Sequence, residues 1–385
     1  MKLSRSSPAR GASPTRVLVP ICLWMATVGN LALWKALTAL PELGNLRGLL
    51  FAIAFGIGIA ATLCGLISLL AWRWTFKPVL TLLLLVTAAA TYYMLAYGVV
   101  IDPTMVVNVL QTDPKEARDV LSVWLGVALL VVGILPAVWV WRQKVEHGGV
   151  LRALFTNVVT LLVSLAVLSG ALMLAFQDFS SVMRNHTQLR YLINPLNTVY
   201  ALGDIAATPF KRNTRVRLPL GEDARVERAA GASAKPTLLL LVLGETARAD
   251  HFTINGYDRP TSPRLQQAQV ISQRKAWSCG TSTAASVPCM FSHLGREAYD
   301  ARKVDHETLV DVLQRAGLAV LWINNQAGCK GVCDRAQQVS TGNLNLPGFC
   351  DKGECHDEVM LQDLEARISA LPAERRQRGV VLVMH

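Results

Sequence analysis

Charge is scarce in this chain. Of its 385 residues 17% are Asp, Glu, Lys or Arg and 52% are hydrophobic, whereas soluble domains carry about a quarter charged residues. That shortage excludes a wholly water-soluble protein and makes a membrane protein the first expectation. Acidic residues are the scarcer sign, 27 against 38 basic, for a net charge of +11. Yet the basic residues are dispersed, and no zinc finger, basic helix or stacking-aromatic motif accompanies them, which sets nucleic acid aside as a partner. Anionic lipid and phosphate partners fit the charge better. Paired C-x-x-C ligands are also missing, which argues against a cytosolic zinc cluster.

What the chain does contain is unevenly placed. Apolar residues concentrate before Phe176, and five stretches have the roughly twenty residues needed to cross a bilayer: Val17–Leu40, Gly48–Trp72, Pro78–Val100, Val120–Trp141 and Ala153–Phe176. Residues 1–176 are therefore expected to form a five-helix transmembrane domain. Lys2, Arg5, Arg10 and Arg16, then Arg73 and Lys77, then Arg142, Lys144 and Arg152 fall on one side; Arg47, Lys115 and Arg118 fall on the other. The positive-inside bias then predicts a cytoplasmic N-terminus and an external C-terminal half. The first apolar core is long and no small-residue cleavage site follows it, which favours a span over a signal peptide. Lys35 can snorkel to the headgroups without a functional role.

Six of the eight cysteines lie in the polar half, at close spacings: Cys279 to Cys289, Cys329 to Cys333 and Cys350 to Cys355. They suit local disulfides in an oxidising compartment, in agreement with the charge-derived topology. Six cysteines allow fifteen pairings in principle, of which the sequential one is expected. In the loop Ile101–Asp113, Asn108, Gln111 and Thr112 either line a headgroup site or belong to an amphipathic surface helix capped at Thr112 or Asp113. Residues 177–235 read as an interfacial connector followed by a linker over Gly221–Lys235.

Residues 236–385 show three short apolar runs, Thr237–Leu243, Leu318–Ile323 and Val380–Met384, with the content of strands buried on both faces. Helical patterns between them, Glu307–Ala316 and His356–Leu371, predict an α/β domain with a largely parallel sheet. Ligands in such sheets sit outside the carboxyl ends of the strands. There the sequence places Gly244-Glu245-Thr246, Asn324-Asn325-Gln326 and His385. Glu245 reads either as a helix cap or as a hard-oxygen metal ligand. Thr283, at the start of a short helix, reads either as an N-cap or as a nucleophile that makes chemical sense only beside a cation. Lys330, on the Cys329–Cys333 loop, is a surface lysine or a phosphate clamp. His251, His293, His306 and His356 have no spacing that selects them.

Taken in order, Gly244–Asp250, Asn255-Gly256-Tyr257, the Cys279–Leu294 block, Trp322–Cys333 and Gly353–Val359 resemble the phosphoethanolamine transferases of Gram-negative bacteria, including the lipid A enzymes behind polymyxin resistance. The resemblance covers nearly the whole chain and implies an alkaline-phosphatase-like, sulfatase-related catalytic domain. It implies that Glu245 and Thr283 bind a catalytic Zn2+ and that Thr283 takes phosphoethanolamine from phosphatidylethanolamine, releases diacylglycerol, and passes the group to lipid A or the lipopolysaccharide core. Lys330, Gln326 and His385 look like the family's substrate-phosphate contacts; Asn325, at the same strand edge, and Asn108, in the outer loop, join them as substrate-binding candidates by position alone. The setting implied is the bacterial inner membrane, with the catalytic domain in the periplasm beside the leaflet that supplies the lipid.

The family continues past the equivalent of His385 into a Gly-Ser-His-Gly-Pro turn and an Asp-His pair. The remaining zinc ligands are thus expected downstream, and the 385-residue polypeptide alone is expected to be inactive and poorly folded outside the membrane, with an unpaired edge at its third strand. Alternatives are a five-span phosphoglycerol transferase, against which the cysteine pattern argues, and a non-catalytic envelope protein in which Glu245 and Thr283 are only caps. A sulfatase is disfavoured because the C-x-P-x-R pattern is missing around Cys279.

Overall fold

The computed structural model describes residues 12–385 apart from 113–116, 119, 212, 228–234, 327, 343, 345, 352 and 353. Lys2, Arg5, Arg10, Asp113, Lys115, Gly353 and part of the 221–235 linker therefore lie outside the described residues. The chain forms two compact units, Met1–Val106 with Pro114–Ile205, and Val107–Asp113 with Ala206–His385.

Five helices of the first unit are long and apolar enough to cross a membrane: Pro14–Thr38, Leu46–Ser68, Phe76–Tyr97, Val123–Arg142 and Val150–Leu174. Local chemistry sets their ends. Asn45 accepts from Gly48 N at 2.9 Å and Ser122 from Leu125 N at 3.1 Å, satisfying amides the helix cannot. Gly98, at φ +65°, closes the third span in the left-handed region. The fourth passes through a π-helical stretch, Leu129–Ile134, just ahead of Pro136, which has no N–H to give its own turn.

The first span breaks into a 3-10 turn at Val28–Asn30, and Asn30 turns inward. Its side chain accepts from Asn194 N at 2.9 Å and donates to Asn194 O and Met25 O. Asn194 Nδ2 in turn meets the carbonyls of Gly29 and Thr87 and the hydroxyl of Thr91. Both asparagines are fully buried. The backbone at Gly29 lies so close to the third span that a Cβ there would stand 2.4 Å from Thr87 Cγ2. Replacing Asn194 by Leu strips this network of its donor, an expected loss of about 1–3 kcal/mol. Thermal unfolding in detergent, read by a thiol dye reaching the buried free Cys22 and Cys64, should show a lower midpoint; an unchanged midpoint would contradict a structural role for the network.

Among its described residues the second unit holds the strands β1 (Asn213–Leu218), β2 (Leu238–Val242), β3 (Val304–His306), β4 (Ala319–Asn324), β5 (Gln337–Ser340), β6 (Cys350–Asp351), β7 (Glu354–Cys355) and β8 (Val380–Met384), four of which form a parallel sheet in the order β2, β8, β4, β5. Alternation along β4 and β8 divides the core between the sheet's two faces. Val320, Trp322, Val381 and Val383 pack with Val287, Phe291 and Val310 on one face. Ala319, Leu321, Ile323, Leu382 and Met384 pack with Val359, Met360 and Leu371 on the other.

Two expectations need correction here. The third apolar run carries no unpaired edge, because β8 pairs with β2 on one side and β4 on the other. The edge is β2, whose Leu238, Leu240 and Val242 are exposed rather than buried on both faces. Likewise His356–Leu371 is not one helix. A 3-10 turn over Asp357–Leu361 is separated from the helix Leu364–Ser369 by Asp363, whose φ of +54° no α-helix accommodates.

The helix Leu309–Arg315 is fixed by a reciprocal cap in which Thr308 N donates to Asp311 Oδ2 at 2.7 Å. Asp311 also holds Arg335, whose Nε lies 2.7 Å from Oδ1. Burial pushes the Asp311 carboxyl up, but the Arg335 guanidinium and the Thr308 N–H and hydroxyl outweigh it, so the group sits below the usual carboxylate range. With the folded pKa depressed, the unfolded chain binds the extra proton. The stabilisation is therefore complete above about pH 4 and disappears as pH falls through the folded value. Asp311→Asn should lower the unfolding midpoint at pH 7 and flatten its fall below pH 4; equal acid sensitivity in both proteins would contradict this.

Candidate active site

All ladders in the sheet are parallel, so the carboxyl ends of β2, β8, β4 and β5 share one edge. His385 extends the ladder past β8: its N donates to Ile323 O at 2.9 Å and its O accepts from Asn325 N at 2.7 Å. Glu245 leaves β2 two residues after the ladder bond from Leu243 N to Met384 O. The two side chains meet above the edge, His385 Nε2 lying 3.5 Å from Glu245 Oε2.

Thr283 arrives from the opposite direction. The helix Thr283–Met290 starts at this residue, with Ser282 as the extended N-cap. The N-cap reading of Thr283 is thereby corrected. Its hydroxyl points at Glu245, 3.1 Å from Oε1 and 3.0 Å from Oε2. A disulfide between Cys279 and Cys289 spans the turn and the helix. Two more join Cys329 to Cys333 and Cys350 to Cys355. The capping alternative for Glu245 has no counterpart either, since the next helical turn, Ala249–His251, has Arg248 at its N-cap.

Backbone geometry adds to the picture. Thr246, next to Glu245, has φ +49°, and Lys330 has φ +50°. A β-branched residue in the left-handed region is a strained exception, held only where surrounding structure compels it. The Glu245 carboxyl beside it is held below its ordinary range. The His385 imidazole contributes most to that depression, burial opposes it, and the Thr283 hydroxyl assists.

His385 itself is oriented from behind. Asn324 donates its amide N–H to the carbonyl of Gln326, which turns Oδ1 toward His385 Nδ1 at 3.1 Å. Trp322 packs edge-on against the ring at 6.0 Å. His385 Nε2 is buried, has no hydrogen-bond partner within bonding distance, and faces the Glu245 carboxylate. A buried ring nitrogen that faces a partly exposed carboxylate calls for a cation or proton between them. The carboxylate of Glu245, the hydroxyl of Thr283 and Nε2 of His385 make a donor set of the hard and borderline kind that divalent zinc accepts. Among the described residues no cluster of three or more His, Cys, Asp and Glu side chains adds to it.

The other expected site residues are engaged elsewhere. Asn325 is engaged in structure: its amide donates to Cys355 O at 2.9 Å and Asp357 Oδ1 at 3.0 Å, and it accepts from Thr341. Gln326 uses its carbonyl on Asn324 and Gly328 N. Lys330 donates to the carbonyl of Gln111 at 3.2 Å and makes no hydrogen bond with Glu245, Thr283 or His385 among the described residues. Asn108 lies on the helix Pro103–Gln111, whose amide at Met105 is capped by Asp102 and not at the far end by Thr112; Thr112 instead donates to Asn108 O. The orienting Asn324 was visible in the sequence only as one of three polar residues after a strand, with no signal to distinguish it from its neighbours.

Comparison with known proteins bears on this geometry. Residues 59–210 match the family described as phosphoethanolamine transferase EptA/EptB, and residues 237–385 match the sulfatase family. The chain is 32% identical to phosphatidylethanolamine transferase Mcr-1 of Escherichia coli, over 94% of this chain and 68% of that protein. It belongs to the phosphoethanolamine transferase family. Phosphoethanolamine transferase EptA of Escherichia coli K12 is 35% identical over 95% of this chain, which spans 65% of that relative's length. The integral membrane lipooligosaccharide phosphoethanolamine transferase A from Neisseria meningitidis superposes with a TM-score of 0.88 at 29% identity, covering 98% of this chain and 69% of the other. Family membership accords with the five-span, α/β architecture: this is a multi-pass membrane protein with a sulfatase-like domain.

Proposed function

We propose that the chain serves transfer of phosphoethanolamine from phosphatidylethanolamine to lipid A, or to the lipopolysaccharide core, through a phosphothreonine at Thr283. The observation that carries the reading is the hydroxyl of Thr283 lying about equally far from both Glu245 carboxylate oxygens. A serine or threonine used only as a cap turns its oxygen toward backbone amides. In the first half-reaction Oγ1 of Thr283 bonds to phosphorus while the bond from phosphorus to the glycerol oxygen breaks, and diacylglycerol leaves with the proton. In the second, an acceptor oxygen bonds to phosphorus, the bond to Thr283 breaks, and the hydroxyl is restored.

Glu245 accepts the Thr283 hydrogen bond and orients the attacking oxygen. Glu245 and Thr283 are the proposed metal ligands, and zinc, when bound, supplies positive charge that favours the alkoxide and offsets charge building on the phosphoryl oxygens. Lys330, Gln326, His385 and Asn108 are proposed as the substrate-facing groups, Lys330 as a point charge for phosphate, while Asn325, whose side chain is taken up by Cys355, Asp357 and Thr341, braces the edge instead. We place the N-terminus in the cytoplasm and the second unit in the periplasm, on the dispersed basic residues of the short loops and on the three disulfides. The relative named Kdo(2)-lipid A phosphoethanolamine 7''-transferase of Salmonella typhimurium, 26% identical over 74% of this chain, supports a lipid A acceptor.

Product mass spectrometry tests the reading. Incubated with phosphatidylethanolamine and lipid A, the full-length protein should yield diacylglycerol and lipid A carrying phosphoethanolamine. A phosphoglycerol adduct from a phosphatidylglycerol donor would favour the related five-span transferase instead, and unmodified lipid A with both donors would favour a non-catalytic envelope protein.

A further inference from the structure

Within the membrane unit, the Leu46–Ser68 and Val150–Leu174 spans leave a groove of about 820 Å³ between them. Its walls are apolar, with Leu50, Ile53, Ile57 and Val167 among them. One end is not. Arg47, Gln177 and Asp178 form a polar lip, with Arg47 Nε 2.9 Å from Asp178 Oδ2 and Nη2 3.0 Å from Gln177 Oε1. Arg47 stands in the first turn of its span and Asp178 four residues past the end of the other, so the lip lies at headgroup depth while the groove runs at the depth of acyl chains. The Arg47 side chain remains 62% exposed. Its Nη1 and the Oδ1 of Asp178 make no hydrogen bond among the described residues. Gly170 lines the groove, and a Cβ there would meet nothing within 4 Å.

An exposed pair of this kind contributes only about 0–1 kcal/mol to stability, so holding two helices together is a weak account of it. Its charge pattern is more informative. A cation and an anion side by side complement a zwitterion and favour neither an anionic nor a cationic lipid. We propose that this groove binds one diacyl phospholipid with an ethanolamine headgroup, its phosphate on Arg47 and its ammonium on Asp178. A primary ammonium donates hydrogen bonds to a carboxylate; the trimethylammonium of a choline lipid has none to give, and a glycerol headgroup presents no cation to Asp178. The site deepens the reading of phosphatidylethanolamine as donor, for which it would be a holding position in the membrane unit.

Retention of lipid by the purified full chain tests this. The protein is exchanged into detergent with equimolar phosphatidylethanolamine, phosphatidylcholine and phosphatidylglycerol, and bound lipid is counted by native mass spectrometry. One charge-assisted hydrogen bond predicts a preference for the ethanolamine lipid of about tenfold over phosphatidylglycerol. Asp178→Asn should bring that ratio close to one, and Gly170→Phe, which fills the groove, should cut retention severalfold. Equal retention of the three lipids by the wild type would overturn the proposal, as would a folded Gly170→Phe protein that keeps its full complement. Should Gly170→Phe fail to fold, Asp178→Asn on the lip decides alone, and an unchanged preference there overturns the proposal. Binding is read without turnover. Loss of preference therefore sinks the groove alone, while a wild type that binds the lipid and transfers nothing sinks the catalytic reading alone.

Discussion

Thr283→Ala should abolish phosphoethanolamine transfer, by roughly 10³-fold or more, because the atom that bonds to phosphorus is gone. The helix that begins at this position should survive. Alanine is well suited to a first helical turn, and Thr283 lies one residue past the N-cap position, which Ser282 occupies, so the change in stability should stay within about 1 kcal/mol. Transfer from a fluorescent phosphatidylethanolamine, set beside the unfolding midpoint of the same preparation, separates the two effects. A variant that folds and still transfers would end the assignment of Thr283 as nucleophile.

Glu245→Gln should lower metal affinity at least about tenfold and reduce transfer to a comparable extent as Thr283→Ala. The substitution keeps the shape of the side chain and removes its charge, leaving His385 Nε2 facing a neutral amide. Metal content after dialysis against a graded chelator, and the visible spectrum of the cobalt-loaded protein, report on the ligand without reference to activity. On the proposed roles Glu245 and Thr283 act as one unit, joined through two oxygen contacts near 3 Å, so the double variant should transfer no more slowly than the worse single one. Additive losses would mean that the two side chains serve separate steps.

The sequence was most legible where a physical requirement repeats along the chain. The five spans lie close to the limits set by bilayer thickness, and each strand of the sheet's interior was marked by an uninterrupted apolar run, Ala319–Ile323 and Val380–Met384. The edge position of β2 was not legible, since Leu238–Val242 is as wholly apolar as the central β8 and pairing distinguishes them. The break at Asp363 was hidden for a related reason: apolar residues at helical spacing run through it.

At the site, the positions of Glu245 and His385 followed from their place just beyond strand ends, a rule of topology that needs no partner to be known. What composition and spacing could not supply was their mutual arrangement. That His385 is turned by Asn324, and that Asn324 is itself turned by the carbonyl of Gln326, depends on a few side-chain torsions set by packing beneath Trp322. The engagement of Asn325 with Cys355 and Asp357 is of the same kind, a consequence of where the Cys350–Cys355 loop folds back. Residues drawn from opposite ends of a domain reveal their chemistry to sequence reasoning only as separate candidates, each with a plainer alternative.

The central claim is that an oxygen on Thr283 carries the phosphoethanolamine group between donor and acceptor. Incubation with phosphatidylethanolamine in the absence of an acceptor, followed by a rapid acid quench and tandem mass spectrometry of the peptide spanning Cys279–Cys289, tests it most directly. The account predicts a phosphoethanolamine adduct on Thr283 that disappears when lipid A is added. Transfer to lipid A from a protein whose Thr283 never carries the adduct, or an adduct that lipid A fails to discharge, would contradict it.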